Sequence, residues 1–112
     1  MPAPSPDRSD FFQRVWDVVA EIPLGRVTTY GHIAEHLGAK RSARVVGWAM
    51  KAAAETPLPC HRVVNRRGAL TGRLHFETPT VMEERLRSEG VAFTDEGEVD
   101  LRLHLWIPGE AS

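Results

Sequence analysis

The sequence predicts a mainly α-helical fold with a small β element, arranged as a winged helix-turn-helix DNA-binding domain. Three observations predict it: two short helical segments joined by a glycine-containing turn, positive charge concentrated from the second of these segments onward, and an alternating apolar segment near the C-terminus. A chain of 112 residues has room for one modest core. We place this single domain at residues 10–108, with a Pro-rich tail at 1–9 and a short tail at 109–112.

Capping residues and apolar spacing predict the first two helices. Ser9 can cap a helix over residues 10–20, whose apolar residues recur at helical spacing. Thr29 can cap a second helix over 30–37. Gly38 ends that helix, as glycine commonly does at a helix C-terminus.

The same signals predict the remaining elements. A third helix begins at Ser42 and runs to about residue 54, which completes the helix-turn-helix. Thr78 can cap a fourth helix that Pro79 opens and Gly90 closes. Apolar residues alternate with polar ones from 99 to 105, and this period of two predicts a half-buried strand.

Composition is that of a globular domain with no membrane segment. Hydrophobic residues make up 42% of the chain and charged residues 26%, both ordinary values. No apolar run approaches the roughly 20 residues that a membrane helix needs, and the N-terminus lacks the apolar stretch of a signal peptide. A single cysteine cannot form an internal disulfide, which favours a reducing, cytoplasmic location.

Positive charge is concentrated in the middle of the chain. The segment 40–73 holds eight Lys and Arg residues and one acid, Glu55, so it carries +7 within a chain whose net charge is −1. This asymmetry is typical of a basic face that meets a polyanion. The alternative is a mixed surface whose charges scatter once the chain folds.

The segment from Pro59 to Val64 carries the clearest chemical signal. It places the only cysteine, Cys60, directly before His61. A thiol becomes a good nucleophile as thiolate, and a neighbouring base or positive charge lowers its pKa. Pro59 fixes one backbone angle, and Val63 and Val64 predict a short buried strand, so the thiol lies in a rigid turn. The alternative for a lone cysteine is a small buried hydrophobic residue.

Four motifs resemble a known family in their order and spacing. They lie at residues 22–30 (IPLGRVTTY), 43–50 (ARVVGWAM), 57–64 (PLPCHRVV) and 88–90 (SEG). Over roughly residues 10–105, the chain resembles the C-terminal, DNA-binding and active-site domain of the methylated-DNA–protein-cysteine methyltransferases, the O6-alkylguanine repair proteins.

The resemblance implies a chemistry for five residues. The helix-turn-helix would bind the minor groove and rotate an O6-alkylated guanine out of the duplex, where its reacting atom becomes accessible. The alkyl group would then move to Cys60 in a single-turnover reaction, with His61 drawing the thiol proton through a water and Glu89 orienting His61. Tyr30 would donate a hydrogen bond to the departing base, and Arg44 would fill the gap in the duplex. The resemblance implies no cofactor and no metal.

Duplex DNA carrying O6-alkylguanine is therefore the expected partner, and we expect the protein to be a monomer. The residues expected to contact DNA are Thr29, Ser42, Ala43, Arg44, Val45, Gly47, Trp48, Lys51 and Arg62. Structural alternatives remain: Tyr30 as a core tyrosine, Arg44 as a solvated helix side chain and Glu89 as a helix-end residue. His32 and His36 lie one helical turn apart without a third ligand on the same element, so we interpret them as exposed histidines rather than a metal site.

Some features depart from the family pattern. The loop at 71–79 is longer and bulkier than the family's glycine-rich pocket loop, and Val45 and Trp48 stand where the family tends to have smaller residues. The N-terminal domain of most family methyltransferases is not expected here. These departures resemble the alkyltransferase-like branch, single domains that bind and flip O6-alkylguanine without reacting and mark it for nucleotide excision repair. That branch typically replaces the cysteine that this chain keeps.

Three functions stay open at this point. The retained Cys60, His61, Tyr30 and Glu89 favour a minimal methyltransferase, which is our prediction. The short chain and the unusual loop favour the alternative, a non-catalytic lesion sensor that recruits nucleotide excision repair proteins. A sequence-specific transcription regulator is the third, and it leaves the cysteine motif unexplained.

Overall fold

A computed structural model of the chain describes residues 8–38 and 43–110. The helices are α1 (Arg8–Ala20), α2 (Tyr30–His36), α3 (Ala43–Ala52), α4 (Val81–Ser88) and α5 (Leu101–His104), and the strands are β1 (Thr28–Thr29) and β2 (Val63–Val64). The described residues between β1 and α4 also form the 3₁₀ turns Cys60–Arg62 and Arg73–His75. The predicted fold class, mainly α with a small β element and a helix-turn-helix, is confirmed.

Local chemistry explains the helix-turn-helix. Thr29 caps α2, because its backbone is extended and its hydroxyl accepts a hydrogen bond from the backbone N–H of His32 at 3.0 Å. Gly38 follows the last turn with φ of 75°, the left-handed conformation that glycine adopts at little cost. The helix α3 then packs on α1, where Trp16 Nε1 donates to the carbonyl oxygen of Ala49 at 2.9 Å.

The buried apolar residues form two clusters that meet at β2. One combines α1, α2 and α3 with the Cys60 turn and consists of Val15, Val18, Val19, Ile22, Ile33, Ala34, Val46, Ala49, Met50, Ala53, Cys60 and Val63. The other packs α4 against β2 and nearby loops and consists of Val27, Val64, Leu70, Met82, Leu86, Val91 and Val99. Successive strand residues face opposite sides, so Val63 joins one cluster and Val64 the other. Burial on both sides fixes the strand that follows Cys60.

The pairing of β1 with β2 brings distant parts of the chain together. The two strands are parallel, with Thr28 opposite Val63 and Thr29 opposite Val64. Because α2 begins directly after β1 and the Cys60 turn directly precedes β2, this register places Tyr30 near Cys60.

The predicted strand over 99–105 is wrong. Val99 forms a single antiparallel bridge with Phe93, and the chain then turns into α5. Asp100 drives this change, because its side chain accepts a hydrogen bond from the backbone N–H of Arg102 and so caps the helix. Leu103 consequently points to solvent, with 61% of its surface exposed, although the alternating pattern assigned it to a buried face.

Other boundaries shift by small amounts. The helix α1 begins at Arg8, two residues earlier than predicted, and α4 begins at Val81 rather than at Pro79. Thr80, not Thr78, occupies the cap position of α4, and its side chain makes no capping bond. The expected start of the third helix at Ser42 lies outside the described residues.

None of the helices within the described part of the chain is both long and apolar enough to cross a membrane.

Candidate active site and nucleic-acid interface

Cys60 lies at the base of a small cleft between the helix-turn-helix and the segment after β2. The cleft is narrow, with an accessible volume of about 10 Å³, which is room for about one water molecule. It is lined by Tyr30, Met50, Ala54, Cys60, Val63, Gly72, His75 and Phe76. Cys60 is 9% exposed, and its Sγ donates a weak hydrogen bond to the carbonyl oxygen of Ala53 at 3.5 Å. The lining is mostly apolar with a few polar groups, which is the character of a ligand site.

Burial controls the two acidic groups of the cleft. It raises the pKa of the Cys60 thiol, and a backbone hydrogen bond and then the positive charge of Arg85 offset this only in part. It also raises the pKa of Tyr30, and the neighbouring Thr71 side chain lowers that pKa by less. Both groups are therefore protonated at neutral pH. Tyr30 is available as a hydrogen-bond donor, and Cys60 needs a base before it can act as a nucleophile.

His61 is held by Glu89, as the resemblance implies. Its Nε2 lies 2.6 Å from Oε2 of Glu89, and both side chains are about 10% exposed. Glu89 is the C-cap residue of α4, directly before Gly90, which closes the helix with φ of 85°. A carboxylate is unfavourable at this end of a helix dipole, so its ion pairs must compensate.

The contact fixes the tautomer of His61. Burial lowers the pKa of His61, and the hydrogen bond and charge of Glu89 raise it by less. Since an ionised carboxylate only accepts hydrogen bonds, Nε2 of neutral His61 carries the proton and Nδ1 is an acceptor. Nδ1 is buried and has no hydrogen-bond partner among the described residues. Nδ1 of His61 is therefore able to accept a proton, and His61 directly follows Cys60 in the chain.

Arg62 completes this buried cluster, contrary to its expected contact with DNA. Its Nε and Nη2 donate to the two oxygens of Glu89 at 2.9 Å each, and its Nη1 donates to the carbonyl oxygen of Ile22 at 2.9 Å. Its side chain is only 14% exposed. Burial acts to raise the pKa of Glu89, but the hydrogen bonds from Arg62 and then His61 hold it at about 2. The Arg62 guanidinium is thus held by hydrogen bonds within the protein.

Thr29 is the second expected DNA contact that the structure places elsewhere. The residue is 2% exposed, and its hydroxyl caps α2 and shares a hydrogen bond of 2.6 Å with Nδ1 of His32. These bonds explain its burial. They also give His32 a structural partner within its own helix.

The helix α3 presents the expected DNA-contacting residues at its surface. Arg44, Trp48 and Lys51 are exposed; Ala43, Val45 and Gly47 are half-buried. The Cζ atom of Arg44 lies 5.5 Å from the centre of the Trp48 ring. Ser42 lies outside the described residues.

Most of the described basic residues in the central segment reach solvent. Besides Arg44 and Lys51, the exposed ones are Arg66, Arg67 and Arg73. Lys40 and Arg41 lie outside the described residues, and Arg62 is neutralised by Glu89.

Sequence reasoning did not name several residues that line the cleft. Met50 and Ala54 come from α3 and the turn after it, and Gly72, His75 and Phe76 come from the loop at 71–79. The unusual length and bulk of that loop was the available signal. A Cβ at Gly72 would lie 3.2 Å from the Tyr30 hydroxyl, so the absence of a side chain there keeps space for Tyr30.

Comparison with known proteins agrees with this arrangement. Residues 10–91 match the family described as 6-O-methylguanine DNA methyltransferase, DNA binding domain. The chain is 44% identical over 106 residues to a DNA base-flipping protein of Escherichia coli, covering 89% of this chain and 78% of that protein. It is 42% identical over 104 residues to alkyltransferase-like protein 1 of Schizosaccharomyces pombe, covering 88% and 96%.

Methyltransferases are also among the relatives. The chain is 39% identical over 72 residues to a methylated-DNA–protein-cysteine methyltransferase of Methanosarcina acetivorans, covering 61% of this chain and 44% of that protein. The chain thus spans less than half the length of that enzyme.

Solved structures show the same fold. The structure of S. pombe Atl1 in complex with damaged DNA containing O6-carboxymethylguanine matches with a TM-score of 0.75 at 40% identity, covering 89% of this chain and 97% of that one. Mycobacterium tuberculosis OGT in complex with DNA matches with a TM-score of 0.61 at 38% identity, covering 71% and 49%. The chain therefore belongs to the family of the 6-O-methylguanine DNA methyltransferase DNA-binding domain.

Proposed function

We propose that the protein recognises O6-alkylguanine in duplex DNA, turns the damaged nucleotide out of the helix and holds its base in the Cys60 cleft. The observation that carries the proposal is the cleft itself, which lies beside Tyr30 at the start of the helix-turn-helix, is lined mostly by apolar side chains and must widen to admit a base. A base stacked inside a duplex cannot reach such a recessed site, so binding there requires flipping.

The relatives favour lesion recognition over catalysis. Those matched over most of their own length are named as a DNA base-flipping protein and an alkyltransferase-like protein, whereas the methyltransferases are matched over less than half of theirs. Atl1 has been crystallised with damaged DNA. In the proposed role, the protein binds as a monomer and the complex with the flipped lesion is what nucleotide excision repair proteins recognise.

Two residues of the helix-turn-helix have roles in this proposal. Arg44, exposed on α3, enters the space that the flipped nucleotide leaves, where its charge and planar group suit stacked bases and phosphates. Tyr30 donates its hydroxyl proton toward the base in the cleft, since its raised pKa keeps it protonated.

Binding to a matched pair of duplexes tests the proposal. One duplex carries a single O6-methylguanine and the other carries guanine at the same position, and 2-aminopurine next to that position reports unstacking by its fluorescence. We expect tighter binding to the damaged duplex and a fluorescence rise with it alone. Equal affinity for both, with no fluorescence change, contradicts the proposal.

A second candidate function is alkyl transfer to Cys60, and a specific observation favours it. Cys60 and His61 are adjacent in a buried turn, Glu89 holds Nε2 of His61, and Nδ1 of His61 is an acceptor without a hydrogen-bond partner among the described residues. In this reaction the thiol proton passes to His61, a bond forms between Sγ and the alkyl carbon, and the bond from that carbon to O6 breaks. The electron pair of that bond returns to guanine, which Tyr30 stabilises by its hydrogen bond.

Intact-protein mass spectrometry after incubation with the O6-methylguanine duplex separates the two functions. A mass gain of one methyl group on the native chain, absent from a Cys60→Ser variant, establishes transfer. Lesion-selective binding without a mass gain excludes transfer and leaves recognition as the function.

A further inference from the structure

We propose that Trp48 is a positioning residue for Arg44: its indole ring supports the guanidinium and restricts it to conformations ready for insertion into DNA. The inference rests on the proposed function, because it concerns how α3 meets a duplex with a flipped nucleotide. Trp48 is a large residue at a position where the family tends to have a smaller one.

The two side chains lie one helical turn apart on the exposed face of α3. The Arg44 Cζ atom is 5.5 Å from the centre of the Trp48 ring, within the range of about 6 Å over which a cation is attracted to an aromatic face. The buried face of the same helix consists of Val46, Ala49 and Met50. The pair therefore lies on the face of α3 opposite to its buried residues.

Trp48 is one of few large apolar side chains exposed in the described part of the chain, and 39% of its surface is accessible. Its accessible surface lies beside Arg44, where a large, rigid ring can contact the guanidinium. The neighbouring Gly47 has no atom within 4 Å of the place where a Cβ would lie. This open surface lets DNA approach the helix backbone despite the ring beside it.

The physical benefit is a smaller loss of conformational freedom on binding. A free arginine on a helix surface occupies many rotamers, and ordering it costs affinity. A ring that already holds the guanidinium lowers that cost before DNA arrives. The effect must therefore pass through Arg44, and it disappears when Arg44 has no guanidinium to hold.

A double-mutant cycle tests this coupling. Trp48→Gln and Trp48→Phe are made in the native chain and in an Arg44→Ala background, with Leu103→Gln as a control for replacing an exposed apolar residue on α5. Affinity for O6-methylguanine and guanine duplexes is measured, together with the rate of the 2-aminopurine signal. Thermal unfolding shows that each variant is folded.

We expect Trp48→Gln to weaken binding to the damaged duplex by about three- to fivefold in the native chain, as the cost of ordering one flexible side chain predicts, and to slow flipping. Trp48→Phe keeps an aromatic face and retains most of the affinity. In the Arg44→Ala background Trp48→Gln has almost no effect. Leu103→Gln leaves binding unchanged.

Equal losses from Trp48→Gln in both backgrounds, or no loss in the native chain, overturn the inference. A native chain that does not prefer the damaged duplex contradicts the proposed function instead. The two failures are thus distinguished by the behaviour of the native protein.

Discussion

Replacing Glu89 with glutamine should destabilise the protein far more than an ordinary surface substitution. Glu89 accepts hydrogen bonds from His61 and, through both of its oxygens, from Arg62. Glutamine keeps the shape but loses the charge, and its amide group turns a donor toward these donors. Arg62 would then be left as a largely buried cation without its counter-ion, which is costly.

The size of the effect follows from the pKa of Glu89. Its fall from the usual 4.5 to about 2 corresponds to about 3 kcal/mol of preference for the ionised carboxylate in the folded state, at about 1.4 kcal/mol per unit. The group is 10% exposed, so solvent screens this interaction little. Because the folded pKa is below the unfolded one, the contribution is complete above about pH 4.5 and is lost as the pH falls toward 2.

Urea unfolding measures how much Glu89→Gln changes the free energy of unfolding, and in which direction. At pH 7.5 we expect Glu89→Gln to lower the free energy of unfolding by about 3 kcal/mol. Glu83→Gln is the matched control, because Glu83 pairs with Arg87 on the same helix at 45% and 54% exposure, and we expect it to cost less than about 0.5 kcal/mol.

The pH series is run in a His61→Gln background, which removes the titration of the imidazole. In that background, the free energies of unfolding of the proteins with and without Glu89→Gln should become more similar as the pH falls below 4.5. Equal costs for Glu89→Gln and Glu83→Gln, or a difference that does not change with acid, would show that the ionised Glu89 does not stabilise the fold.

Three further outcomes are expected. Gly68→Ala should destabilise the protein by more than about 3 kcal/mol in urea unfolding, because φ is 88° and a Cβ would lie 2.4 Å from the Val99 carbonyl oxygen. Gly97→Ala is the control, and it should cost only about 1–2 kcal/mol because φ is 79° but the space is open. Similar costs for the two variants would contradict a steric role for Gly68. In the absence of DNA, the rate at which iodoacetamide modifies Cys60 should still rise above pH 9, since burial raises the thiol pKa, and a plateau at neutral pH would show that the thiol is already ionised. Tyr30→Phe should slow any transfer to Cys60 more than it weakens lesion binding, and equal losses would count against a role at the leaving group.

Features that depend on neighbouring residues could be predicted from the sequence. Thr29 caps α2 because a hydroxyl before a helix satisfies a free backbone N–H, whatever the rest of the chain does. Val63 and Val64 form the expected buried strand after Cys60, because two adjacent β-branched residues favour an extended backbone and face two separate cores. The resemblance supplied the pairing of His61 with Glu89, which composition and spacing alone did not.

Features that depend on long-range contacts could not be predicted from the sequence. Arg62 belongs to a basic segment and was expected at the DNA surface, yet its partners Glu89 and Ile22 lie 27 and 40 residues away in sequence. The alternating segment 99–105 met the period of a strand, but it had no neighbouring strand to pair with over its length and Asp100 capped a helical turn instead. Pairing partners decide whether such a segment becomes a strand.

The loop that lines the cleft could be predicted from the sequence only in part. The sequence showed that the loop at 71–79 is bulkier than usual for the family. It did not show that His75 and Phe76, rather than their neighbours, would face Cys60. Leu74, between Arg73 and His75 in the 3₁₀ turn, is 71% exposed, so a single residue's shift in that turn would change the lining.

Disulfide capture tests most directly whether a flipped base enters the Cys60 cleft. The probe is a duplex in which one guanine carries, at O6, a short chain that ends in a mixed disulfide, and the control is a Cys60→Ser protein. Because Sγ lies in a recessed cleft, exchange with this disulfide requires the base to leave the duplex. We expect a covalent protein–DNA adduct at Cys60 that the control lacks and that Arg44→Ala forms more slowly. Binding of the probe duplex without an adduct, at a pH at which iodoacetamide modifies Cys60, would contradict entry of the base into the cleft.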